Sequence, residues 1–192
     1  MGLRSPAKEV LALMRGAAES HFPGSVSDDY GFTESRDPDF SGFCVHVDGS
    51  MALVEMGIRG VPDWIWFVQV TSGLAIEVPY TRALMDWVCD HNRTETIGKY
   101  YCTVSEINAD TVSVVYETLI PGVHFMVLAD DNVSYETRKL TYDRVTWEMR
   151  KIIDAGASQR AEVVNKFGGR FFDCSHRGLR QLYSASCGVS SH

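Results

Sequence analysis

The chain has 192 residues, of which 45% are hydrophobic and 11% aromatic, and a formal net charge of −7. That is enough apolar material for one substantial core and too little length for two full domains. Thinly spread Lys and Arg exclude an electrostatic nucleic-acid surface, and the longest dense apolar runs, WIWFVQV and VHFMVLA, fall far short of the ~20 residues that cross a bilayer.

The opening MGLRSPAKEVLALMRG carries helically spaced apolar residues and no continuous run of the kind a secretion signal uses, so a cytoplasmic protein is expected. Residues 5–20 read as a first helix, with Ser5 as cap, Pro6 at its first position, and Val10, Leu11, Met14, Ala17 and Ala18 on one face. From Phe22 to Gly42 the chain turns polar and broken, which predicts a loop or arm. FCVHV, the Asp48-Gly49 turn and MALVEMGIR then predict a hairpin with Phe43, Val45 and Val47 on one face.

A third strand is predicted over residues 63–71, with Trp64, Trp66, Val68 and Val70 on one side and Ile65 and Phe67 on the other. A strand apolar on both sides needs cover on both, so helices are expected on one face and a twin subunit or a bound peptide on the other. Ser72-Gly73 reads as a turn into a short LAIEV segment. Residues 81–91 then predict a helix with Leu84, Trp87, Val88 and His91 on a common face.

Two alternating strands follow, placing Tyr100, Cys102 and Val104, then Val112, Val114 and Tyr116, towards the core. Residues 121–140 leave two possibilities, a sixth strand or a buried extended connection. Thr141 to Gly169 reads as one long amphipathic helix, capped by Thr141 and stopped by Gly168-Gly169, with Val145, Met149, Ile152, Val163, Val164 and Phe167 in its stripe. Trp147 falls at the edge of that stripe as an interface anchor. Residues 173–192 are small and polar and predict a flexible tail after a single domain over residues 1–172. The order α-β-β-β-α-β-β-α, with strands adjacent in sequence, predicts an α+β fold built on an antiparallel sheet.

Catalytic and metal chemistry is poorly represented. Five cysteines, Cys44, Cys89, Cys102, Cys174 and Cys187, are an odd number at irregular spacing and predict reduced thiols. Cys174-Ser-His176, with Cys187 and His192, has a first spacing too short for a structural zinc site, and Cys44-Val-His46 lacks further ligands. No G-x-S-x-G elbow is present, and Asp28-Asp29 and Asp130-Asp131 read as loop charge. No catalytic residue, metal or cofactor is therefore assigned. The residues marked for contact with a partner are Trp64, Ile65, Trp66, Phe67, Trp87 and Trp147.

The helix LMDWVCDHN leading into GKYYCTV, the hairpin closing at VVYETLIP, and the helix through IIDAGASQRAEVVNKFGGRFF resemble the bacterial YbjN group and its actinobacterial TY-Chap-type relatives. These are proposed peptide-binding chaperones with a type III secretion chaperone-like fold. The likeness covers roughly residues 43–172, and the chain departs from it over residues 121–140 and in its cysteine-containing tail. It implies a small acidic protein, commonly a homodimer, that holds an extended client segment or a secretion partner without ATP. A different class stays open: a regulatory adaptor that pairs with one folded protein.

Overall fold

The computed structural model describes residues 6–27, 40–59, 64–104 and 110–171. Along the chain these form α1 (Pro6–His21), β1 (Val26–Ser27), β2 (Phe40–Val47), β3 (Ser50–Arg59), β4 (Trp64–Pro79), α2 (Arg82–Thr94), β5 (Lys99–Val104), β6 (Thr111–Pro121), α3 (Gly122–Ala129), α4 (Tyr135–Phe167) and β7 (Arg170–Phe171). The fold is α+β: the described strands make one antiparallel sheet in the order β1-β2-β3-β4-β6-β5, with β7 beside the far half of β4. Residues 28–39 of the expected arm and the tail after Phe171 lie outside the described residues. The described ends of the arm are regular, since β1 pairs with β2 and residues 40–42 belong to β2.

Register assigns the faces. Asp48 and Gly49 both have positive φ, 50° and 71°, the backbone of a two-residue hairpin whose twist suits antiparallel strands. It sets Phe43 against Val54, and Val45 against Ala52. These join Val70, Ser72, Tyr116 and Tyr100 on one face. Buried side chains of all four helices, among them Met14, Trp87, Phe125 and Met149, belong to the same cluster as that face. Cys44, Leu53, Thr71 and Glu117 line up on the opposite, outer face.

β4 departs most from expectation. Ser72-Gly73 is not a turn, and LAIEV is not a separate segment: one strand runs from Trp64 to Pro79. Three irregularities bend it. Trp66 is an extra residue where Gly57 and Ile58 face Phe67 and Ile65, Leu74 is another against β6, and a third shift falls between Ala75 and Val78, where Glu77 has φ 55°. Each extra residue resets the inside-outside alternation and adds twist. Ser72 can lie buried in mid-strand because its hydroxyl donates to the Ile152 carbonyl of α4 at 3.0 Å. A Cβ at Gly156 would sit 2.3 Å from the Ser72 Cβ, so small residues are required where α4 crosses β4.

The stretch after Pro121 is neither a strand nor an extended connection. It is α3, which buries Phe125 completely and leaves Val123 62% exposed. A short run that is apolar on every side carries no period to distinguish the two states. α4 likewise begins before Thr141. Ser134 caps it by accepting the Thr137 N–H at 3.2 Å, whereas Thr141 is interior and donates its hydroxyl to the Thr137 carbonyl. The helix stop is where the glycines predicted it: Gly168 and Gly169 have φ 83° and 87°.

Candidate interaction surface

The six residues marked for contact have different fates. Ile65 is fully buried in the core. The alternation assumed for β4 would have paired it with Phe67, but the extra residue Trp66 between them turns Ile65 inward beside Val68 and leaves Phe67 on the outer face. For Trp64 and Trp66 the structure gives the backbone position in β4. Trp87 is 5% exposed and is a core residue, not a contact residue. Trp147, 56% exposed, stands on open surface, two turns along α4 from Leu140 at 71%.

Trp87 belongs to an aromatic and polar cluster that ties α2 and β5 to α4. Its indole N–H donates to Glu162 Oε1 at 2.9 Å, and its ring meets Tyr100 and Phe167 edge-on at 5.3 and 5.9 Å. His91 packs on the same indole at 3.9 Å between centroids. Tyr100 stacks on Tyr116 at 4.3 Å. The Tyr100 hydroxyl donates to Gln159, the Tyr116 hydroxyl donates to Glu95, and Lys151 Nζ reaches the same Glu95 carboxylate at 3.3 Å. Burial, more than these neighbours, pushes Tyr100 up to about 12 and raises Tyr116 as well. Both phenols stay protonated near neutral pH, so they serve as hydrogen-bond donors rather than as bases or nucleophiles.

On the outer face a carboxylate gathers three donors. Glu117 Oε2 accepts hydrogen bonds from Thr71 Oγ1 at 3.0 Å, from Gln69 Nε2 and from the Tyr101 hydroxyl. Around it Cys44, Met51, Leu53 and Val115 are each 2% exposed or less within the single chain. This part of the outer face needs no second molecule, which narrows the expectation of a sheet bare on one side. The open apolar surface lies at one end. Phe67, half-buried, faces Gly57 and Pro121 across the ladder. Leu119, two residues from Pro121 on the same face, is 56% exposed, and Val123, two residues beyond Pro121 at the start of α3, is 62% exposed.

Leu119 and Glu117 went unmarked in the sequence reading. The signal was present: in TVSVVYETLIP the odd-numbered residues alternate away from Val112, Val114 and Tyr116, so Leu119 is an apolar residue in an otherwise outward row.

No group of three or more His, Cys, Asp or Glu among the described residues can hold a metal ion. Asp130 accepts two hydrogen bonds from Asn132, at 2.9 and 3.0 Å, and so shapes its own turn; Asp28-Asp29 and Cys174-Ser-His176 lie outside the described residues. No described helix is long and apolar enough to cross a membrane. Comparison with protein-family models, curated proteins and solved structures finds no match for this chain.

Proposed function

We propose that this chain is a non-enzymatic, ATP-independent protein- or peptide-binding module of chaperone-like type, cytoplasmic and homodimeric, that holds an extended client segment on the outer end of its sheet. The observation that carries the reading is the apolar ridge of Phe67, Leu119, Pro121 and Val123 beside the polar cluster at Glu117. An extended segment laid there can bury alternate apolar side chains on the ridge while its peptide groups and polar side chains meet Glu117, Gln69 and Tyr101. Free thiols at Cys89 and Cys102 fit a reducing compartment.

The test is binding of a fluorescent, reduced and alkylated polypeptide that cannot fold, followed by anisotropy. The wild-type protein should bind it without nucleotide, and Leu119→Asp together with Val123→Asp should weaken binding by roughly tenfold or more, the cost of moving two apolar contacts back into water. Absence of binding, or binding unmoved by both charges, overturns the reading.

A regulatory adaptor is the second reading, favoured by Leu140 and Trp147 exposed two turns apart on one helix. One folded partner docked there would lose affinity on Trp147→Ala, while client binding at Leu119 would be unaffected.

A further inference from the structure

The edge of the sheet formed by β5 is half closed by a side chain. Asn92, near the end of α2, lays its amide across Tyr100: Oδ1 accepts the Tyr100 N–H at 2.7 Å, and Nδ2 donates to the Tyr100 carbonyl at 2.7 Å. The amide does for Tyr100 what a neighbouring strand would do. Both Tyr100 groups therefore point away from β6. In an antiparallel ladder every second residue is oriented alike, so the peptide groups of Cys102 and Val104 also point off the edge. β5 is the last of the described strands on that side of the sheet, and Val104 is 69% exposed. Between the two, Thr103 lies opposite Ser113 on the outer face, and its Oγ1 is buried without a hydrogen-bond partner.

We propose that this edge is filled by β5 of a second copy of the chain, paired antiparallel about a two-fold axis at Thr103. The inference rests on the homodimer reading above and supplies its interface. Three observations select the occupant and the register. Asn92 withholds Tyr100, so the axis cannot lie at Cys102, where Tyr100 would have to pair with Val104 of the partner subunit. One residue further on, Cys102 meets Val104 of the partner subunit and the reverse, and the open groups form four main-chain hydrogen bonds.

The same register sets the two Thr103 side chains directly opposite, with Cβ atoms about 4.5–5.5 Å apart, where a turn of χ1 brings Oγ1 out of its buried position and one hydroxyl donates to the other. The orphaned Oγ1 then has its partner. An unrelated peptide would satisfy it only with a polar side chain at that single position, whereas a second copy always brings one. Val104, on the core side of the strand, leaves water against Cys102 of the partner subunit, and Asn92 stops the pairing from running further.

The experiment compares oligomeric mass by light scattering for the wild-type protein and Val104→Pro, with circular dichroism as the check on folding. Because the Val104 N–H points off the edge, proline there removes one interchain donor per copy and leaves the β5–β6 ladder whole. The expected result is a wild-type dimer and a dissociation constant roughly ten- to a hundredfold higher for the variant, from two lost hydrogen bonds. Independently, Thr103→Cys in a background with Cys89, Cys174 and Cys187 changed to Ser should form a disulfide-linked dimer on mild oxidation. A dimer that ignores Val104→Pro and leaves Cys at position 103 unlinked overturns this interface and leaves the homodimer reading standing. A wild-type chain that stays monomeric at its solubility limit overturns both.

Discussion

The Ser72 hydroxyl donates to the Ile152 carbonyl at 3.0 Å, directly beneath the point where Gly156 brings α4 onto β4. One buried polar atom and one missing side chain thus locate the longest helix on the longest strand. A methyl group at Gly156 would meet the Ser72 side chain well inside contact distance. Gly156→Ala should therefore destabilise the fold by about 1–3 kcal/mol in urea unfolding. Pairing it with Ser72→Gly should cost less than the two changes summed, because each makes room for the other.

The bond pair between Asn92 and Tyr100 offers a second measurement. Asn92→Ala leaves the Tyr100 N–H and carbonyl to water, at an expected cost of about 1–3 kcal/mol. Hydrogen exchange at the Tyr100 amide should accelerate, while amides in the centre of β4 keep their protection. Unchanged exchange at Tyr100 would show that another group closes the edge.

Trp87 and Trp147 separate packing from surface. Trp87→Ala empties a site bounded by Tyr100, His91 and Phe167, and thermal or urea unfolding should show a loss of about 3–5 kcal/mol. Trp147→Ala, on exposed helix, should stay within about 0.5 kcal/mol of the wild type. Fluorescence follows the same division. Quenching by acrylamide should fall when Trp147 is removed and change little when Trp87 is removed, since Trp87 is shielded by its neighbours.

Alkaline pH tests the buried phenols. Tyr100 titrates near 12 in the folded chain against an ordinary value of 10, so between these limits the unfolded chain has released a proton that the folded chain retains. Stability from this group is complete below pH about 10 and is lost as pH rises towards 12. Tyr100→Phe should flatten the fall of unfolding free energy across that window. An equally steep fall in the variant would assign it to other groups.

Much of the frame was legible in the chain. The Asp48-Gly49 hairpin, the helix through Leu84, Trp87 and Val88, the strand pair of Tyr100–Val104 and Val112–Tyr116, and the Gly168-Gly169 stop are all set by local rules: turn residues that accept positive φ, and apolar periods of two or about three and a half. Where the period carries no information the reading ran out. VHFMVLA is apolar in either state, and its helix follows from the buried site that receives Phe125.

The candidate surface shows the same division. Alternation along WIWFVQV put Phe67 on the side opposite Val68 and Val70 without saying which side faces the core, and the helical stripe put Trp147 at its edge. It could not place Ile65, because an extra residue in a strand is fixed by the length of its neighbours in the ladder rather than by its own sequence. Nor could it separate Trp87 from a contact residue, since an aromatic on the apolar face of a helix reads alike whether Tyr100 and Phe167 or another molecule covers it.

The amino-acid sequence alone determined the class of fold, the net acidic charge, the Asp48-Gly49 turn and the Gly168-Gly169 helix stop, because those follow from composition and from interactions within a few residues of each other. The tertiary structure decided which side of β4 faces the core, that Trp87 is buried while Trp147 is exposed, and which stretch of the β5 edge Asn92 covers. Those depend on contacts between residues far apart in the chain, and no local pattern encodes them.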